Sequence, residues 1–118
     1  MIRDFKDLLI WQKGMLIAEQ CYLLTKDFPR EEIYGIVSQI RRASVSIPAN
    51  ISEGYGRNSK GDYIRFLNIA KGSVNELENH LLLSKRLKLC ESKDANNIIN
   101  LLQEETKMII SLIKKLSS

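Results

Sequence analysis

Between Ser46 and Tyr63 the chain reads SIPANISEGYGRNSKGDY. Gly54, Gly56 and Gly61, with Arg57 and Lys60 among them, are the residue types that a phosphate-cradling loop uses. A Walker-type loop needs G-x-x-x-x-G-K-[S/T] after a strand, because its lysine must reach the phosphates that the loop amides surround. Gly56 and Gly61 have the required gap, but Asp62 stands where the lysine belongs. A dinucleotide fingerprint needs G-x-G-x-x-G; Gly54 and Gly56 fit, and Ser59 occupies the third glycine position. Both patterns also need a strand before them, and what precedes is an apolar helical repeat. Nucleotide binding is not expected. Gly54 is expected instead to end a helix in the left-handed conformation, and Gly56 to let the chain reverse. Free amides at the start of the next helix could hold an anion in a generic way, beside Arg57 and Lys60.

The remaining chemistry is sparse. Two metal ions in a helical bundle need inward glutamates and Glu-x-x-His pairs. Here ELENH places Glu76 four residues before His80, the only histidine. Cys21 and Cys90, the only cysteines, lack metal-ligand spacing and read as reduced core or boundary residues. No nucleophile–base pair suggests a triad. His80 is expected at the edge of a helix stripe, hydrogen-bonded rather than catalytic. These residues point to no enzyme, no metal and no cofactor.

Surface charge is the other candidate. Arg41 and Arg42 are adjacent, and Arg57, Lys60 and Arg65 follow against Glu53 and Asp62. This group is the candidate nucleic-acid contact. Lys85, Arg86 and Lys88, and then Lys114 and Lys115, fall at helix ends, where cations complement the helix dipole. The formal net charge of +4 permits a polyanionic partner without requiring one.

Four helical segments must position these groups. In the first, roughly Asp7 to Thr25, Leu8, Trp11, Met15, Ala18 and Tyr22 repeat at helical spacing as an inward stripe. Leu9, Leu16 and Leu23 form a second row between polar neighbours. One bundle does not need that row, so it is a candidate oligomer interface, unless helix tilt buries it. Pro29 then suits a helix start, with Glu31 and Glu32 in its first turn. The second helix, roughly Glu31 to Glu53, carries Ile33, Val37, Ile40, Ser44, Ile47 and Ile51. Its apolar phase runs through Pro48, which predicts a kinked helix rather than a terminated one. Ser44 or Ser46 is expected to help satisfy the carbonyl freed there.

Ser59 and Asp62 form an approximate capping box for the third helix, which runs to about Leu87. Its stripe is Tyr63, Leu67, Ala70, Val74, Leu77 and Leu81. Gly72 and Gly14 are expected where a neighbouring backbone comes close. Ser92 is expected to cap the fourth helix, which runs to about Leu116. Ile98, Leu102, Ile109, Leu112 and Leu116 face inward there, widened by Ile99, Ile110 and Ile113. Short connections make the fold an all-α, antiparallel up-down-up-down four-helix bundle, a single domain over residues 1–118. No run reaches the roughly 18 apolar residues of a membrane span. The N-terminus has early acids and no signal-peptide pattern, so a cytoplasmic location and no membrane partner are expected.

The segment SQIRRASVSIPANISEGYGRNSKGDYIRFLNIAKGSVNELENHL, Ser38 to Leu81, resembles the four-helix-bundle family of 23S rRNA intervening-sequence proteins, once labelled S23 ribosomal proteins. LLIWQKG around Trp11 and LTKDFPREEIYGIVSQ resemble the same family's first helix and its link to the second. The S-I-P-A-N-I-x-E-G-Y-G-R core is the most specific part; Gly14 stands where the family more often has alanine. The resemblance implies a non-enzymatic bundle that assembles as a homopentamer. A related branch, the accessory variability protein of diversity-generating retroelements, implies nucleic-acid binding and a reverse transcriptase as a protein partner. On that basis Arg41, Arg42, Arg57, Lys60 and Arg65 are the residues expected to meet RNA. A purely structural or protein-interaction oligomer is the alternative.

Overall fold

The computed structural model describes residues 1–118. It is all-helical, without a strand: α1 is Leu9–Thr25, α2 Ile36–Tyr55, α3 Lys60–Arg86 and α4 Ser92–Ser117, with 3-10 turns at Phe5–Asp7 and Arg30–Glu32. Contacts run α1–α2, α2–α3, α3–α4 and α4–α1, and no diagonal pair of helices comes as near. Four helices therefore stand at the corners of a square, in a body 44 × 22 × 21 Å. Side-chain contacts give the directions. Arg42 meets Glu76, Ser46 meets Ser73, and Gly54 meets Tyr63 and Phe66, so α3 runs back along α2. Gly14 lies against Ile47 and Pro48, and Thr25 against Arg41, so α2 runs back along α1.

The core is the expected one on three helices. Ile40, Ile47, Ile51, Leu67, Val74, Leu77, Leu81, Leu102 and Ile109 are fully buried. Removing such a side chain from water is worth about 1.5–3 kcal/mol. Leu112, Ile113 and Leu116 are only half-buried, and Ile110 is exposed.

α1 departs from expectation. The buried residues are Ile10, Gly14, Ile17, Ala18, Cys21 and Thr25, while Met15 and Tyr22 are exposed and Trp11 is half-buried. The helix is turned by roughly one residue, about 100°. Its apolar residues lie nearly all round, so spacing alone singles out no face. Gly14 decides the matter. A Cβ there would sit 3.2 Å from Glu105 Oε2 and 3.4 Å from both Ile47 and Pro48. The glycine thus marks a close approach of α1 to α2 and α4, although side chains rather than backbone fill the gap. Trp11 packs edge-on against Phe5, 5.3 Å between ring centres, and the 3-10 turn that holds Phe5 is fixed by a capping box between Asp4 and Asp7.

α2 starts later than its apolar phase suggests. Pro29 leads into the short 3-10 turn, the chain turns again, and helix begins only after Gly35. Glycine is a poor helix former, and Ile33 is left exposed instead of joining the stripe. Beyond that point α2 passes through Pro48 unbroken, as the continuing Ile47-to-Ile51 phase requires. Neither serine hydroxyl turns to the freed Ser44 carbonyl. Ser44 Oγ donates to the Arg41 carbonyl at 2.9 Å, and Ser46 Oγ pairs with Ser73 Oγ at 2.9 Å.

Gly54 does not cap α2. No glycine has a positive φ, and the helix runs on to Tyr55 with Gly56 as its cap. Gly54 is needed for room, because a Cβ there would lie 2.8 Å from the Cβ of Phe66. Gly72, by contrast, faces open space with no close neighbour. Half of the capping box at α3 forms: Ser59 Oγ accepts the Asp62 N–H at 3.1 Å. The Asp62 carboxylate turns instead to Arg65, 3.7 Å away. α3 ends in a Schellman motif, with the Leu89 N–H donating to the Ser84 carbonyl at 3.0 Å and Lys88 in the left-handed region at φ 58°. Glu91 rather than Ser92 caps α4, without a side-chain hydrogen bond. No helix is long and apolar enough to cross a membrane.

Candidate nucleic-acid interface

The five candidate basic residues do not form one patch. Arg41 and Arg42 sit in the first third of α2, about 20 Å along the helix from Arg57 at 1.5 Å per residue. They also diverge by one helical step. Arg41 Nε donates to Thr25 Oγ1 at 3.0 Å and its guanidinium lies 4.6 Å over the Tyr22 ring, so it ties α2 to α1. Arg42 meets Gln39 at 2.8 Å and Glu76 at 3.3 Å, so it ties α2 to α3. Glu76 is shared with His80 Nε2 at 3.3 Å, which makes His80 the hydrogen-bonded boundary residue expected of it.

Arg57, Lys60 and Arg65 do come together, at the α2–α3 hairpin. Arg57 pairs with Glu53 at 3.3 Å and Arg65 with Asp62 at 3.7 Å. Both guanidiniums also lie over the same ring, Phe66, at 4.7 and 4.6 Å from its centre. Such cation–π contacts are worth about 0.5–1 kcal/mol each at exposed sites, which favours these positions of the two side chains. Lys60 has no ion pair. No role is expected for Phe66 from the sequence alone; the i,i+1 step from Arg65 and the hairpin return of Arg57 are what make it a platform. Tyr55 and Tyr63 pack edge-on beside it, 6.0 Å apart, and burial followed by the Tyr55 charge raises the Tyr63 pKa.

Of the basic residues assigned to helix-dipole compensation, Lys114 and Lys115 share this end of the bundle, while Lys85, Arg86 and Lys88 lie at the other. α4 runs antiparallel to α1: Lys13 pairs with Glu104 at 2.6 Å, and a groove brings Ile2, Leu8, Leu9 and Ile10 against Lys107, Met108, Leu112, Lys114 and Lys115. Beyond the level at which Gly14 meets Pro48 and Glu105, the chain carries Arg3, Lys6, Lys13, Arg57, Lys60, Arg65, Lys107, Lys114 and Lys115. Against them stand only Asp4, Asp7, Glu53 and Asp62. That surplus of five charges is at least as large as the formal +4 of the whole molecule, so the rest of the bundle is close to neutral. Lys107, Lys114 and Lys115 form no ion pair, and no carboxylate lines their groove, which encloses about 760 Å³.

The leucine row lies on the surface. Leu9 is 67% exposed, Leu16 42% and Leu23 61%, and Leu16 and Leu23 lie on nearly the opposite side of α1 from Ile10, Ile17 and Cys21. Beside this ridge, an apolar groove of about 730 Å³ runs between α1 and α2, lined by Trp11, Met15, Tyr22, Val45 and Pro48 among others. The residues expected inside the bundle thus line its outer flank.

The two cysteines, Cys21 buried and Cys90 half-buried, carry little reactive potential. Burial pushes the Cys21 thiol up to about 12, and burial, then Asp94 and Glu91, raise Cys90 against the opposing pull of Lys85. Both cysteines are free. No set of three or more His, Cys, Asp or Glu side chains is placed to hold a metal ion. Glu105, which sequence reasoning passed over, is fully buried with both carboxylate oxygens unpartnered. Burial raises its pKa to about 8, with Lys13 pulling the other way. Its signal was available: Leu102, Glu105 and Ile109 share the inward stripe of α4.

Comparison with known proteins bears on fold and kinship. No curated protein matches this chain. A solved structure from Bacteroides thetaiotaomicron VPI-5482, of a protein with unknown function from the S23 ribosomal protein family, superposes with a TM-score of 0.84 at 33% identity, covering 90% of this chain and 99% of that one. The family model described as 23S rRNA-intervening sequence protein matches residues 6–111. With the bundle, the proline-bearing α2 and the glycine-bearing α2–α3 hairpin in place, this chain belongs to the family of 23S rRNA-intervening sequence proteins.

Proposed function

We propose that this protein is a non-catalytic, self-associating bundle that binds nucleic acid, RNA foremost, with one end of the molecule. The observation that carries the reading is the charge distribution: the surplus of positive charge falls at the end where α2 turns into α3 and α4 finishes. Phosphate binding depends on cations that release counterions when they meet the backbone. Lys60, Lys107, Lys114 and Lys115 are free of ion pairs there, and Phe66 holds Arg57 and Arg65 in place. Arg41 and Arg42 are a separate and weaker station, since both are already engaged by α1 or α3. In a ring of copies, such as the homopentamer that the family resemblance implies, this end repeats around the axis and its contacts sum. A reverse transcriptase as protein partner rests on resemblance alone.

Affinity for a short RNA at rising salt tests the reading. Three or four phosphate contacts predict a loss of about 10- to 50-fold between 50 and 200 mM salt. Absence of binding at low salt, or affinity indifferent to salt, contradicts it.

The second reading, an oligomer that serves only structure or protein contact, draws on the exposed Leu9, Leu16 and Leu23. It shares the self-association and lacks the RNA.

A further inference from the structure

We infer that the basic end is built for an unpaired nucleic-acid strand rather than for a duplex; this rests on the nucleic-acid reading above and specifies its ligand. A duplex presents two phosphate rails and keeps its bases stacked inside, so a protein surface that grips it needs cations and little else. An unpaired strand also exposes base faces, which gain free energy from stacking on aromatic rings and guanidinium planes. This end supplies both kinds of surface.

At the hairpin, Arg57 and Arg65 lie over Phe66 at 4.7 and 4.6 Å, and their side chains remain 42% and 58% exposed. The two guanidiniums are therefore held by a ring on one side and open to solvent on the other. At the foot of α4, Lys107, Lys114 and Lys115 border a groove whose floor and walls are Ile2, Leu8, Leu9, Met108 and Leu112. Ile2 is 49% exposed and Leu9 67%. Apolar side chains in the middle of a cationic face gain nothing from a phosphate rail. They gain from a base that covers them while its phosphates reach the bordering lysines. Both features lie at the same end of the bundle, the hairpin on its α2–α3 side and the groove on its α1–α4 side.

The ligand class is thus a phosphodiester chain with unpaired bases, of ribose or deoxyribose type. Binding of the full-length protein to a 20-nucleotide oligouridine, an oligothymidine and a 20-base-pair duplex, all at one ionic strength, tests it. The expected result is at least tenfold tighter binding of either single strand than of the duplex. Phe66→Leu and Ile2→Ser, which leave every charge in place, should each weaken single-strand binding about three- to tenfold; Ile2→Ser should leave duplex binding unchanged, and Phe66→Leu, which also frees Arg57 and Arg65, should weaken it less than single-strand binding. Circular dichroism and sedimentation confirm that the variants keep the parent fold and mass. Duplex binding as tight as single-strand binding overturns the inference while leaving the nucleic-acid reading intact, as does an equal effect of the two variants on both ligands. Failure of all three ligands to bind at low salt overturns both. Tighter binding of oligouridine than of oligothymidine assigns the ligand to RNA; the reverse assigns it to single-stranded DNA.

Discussion

Three single residues carry consequences out of proportion to their size. Glu105 is an acid whose folded pKa, about 8, lies above the ordinary value of 4.5. Below the unfolded value both states hold the proton, and its neutral form fits the core. Between the two values the folded state keeps a proton that the unfolded state has lost, so stability falls as pH rises, and it levels off above about 8. Denaturation of the parent between pH 5 and pH 9 should therefore show a decline that Glu105→Gln lacks; parallel profiles would contradict the assignment. Gly54→Ala would force a methyl to within 2.8 Å of the Phe66 Cβ, and should cost about 1–3 kcal/mol by overpacking, read as a lower denaturation midpoint. Lys88 sits in the left-handed region at φ 58°, so Lys88→Gly should raise stability by about 1 kcal/mol. The role of Gly54 was not legible as written in the sequence. A glycine near a helix end suggests a cap by local rules, whereas its real constraint comes from Phe66, a residue that only the hairpin brings near.

At the scale of elements, α2, α3 and α4 were readable because each has one apolar stripe and a polar remainder. Val37, Ile40, Ser44, Ile47 and Ile51 are all buried, and the helix continues through Pro48 as its phase demanded. α1 was not readable in the same way. Leu8, Leu9, Ile10, Trp11, Met15, Leu16 and Ile17 cover most of its circumference, so several rotations satisfy the spacing equally. The packing around Gly14 selects one of them, and that choice leaves Met15, Leu16, Tyr22 and Leu23 outside. A helix apolar on nearly every side is normally covered on nearly every side. Leu16→Glu, placed mid-ridge on a residue 42% exposed, should leave helicity unchanged and shift sedimentation toward the monomer. An unchanged assembly would remove the ridge from the interface.

At the scale of the whole molecule, the sequence suggested a basic stretch from Arg41 to Arg65, and the fold redistributes it. The pair Arg41 and Arg42 moves away into contacts with α1 and α3. In exchange, Lys107, and Lys114 and Lys115 that the helix dipole explained separately, all remote in sequence, arrive at the same end as Arg57 and Lys60. Local charge counting could not show this, because the grouping depends on the antiparallel order of helices rather than on neighbours in the chain. The bundle thus has a cationic end and a nearly neutral remainder, and that asymmetry is the central claim. The most direct measurement compares RNA affinity of the parent at low salt with that of two charge-reversed variants, Lys114→Glu/Lys115→Glu at the cationic end and Arg41→Glu/Arg42→Glu in the first third of α2. The first should lose at least about tenfold in affinity with its oligomeric mass unchanged, and the second should lose several-fold less. Equal losses from both, or a greater loss from the Arg41 and Arg42 reversal, would contradict the assignment of nucleic-acid binding to that end.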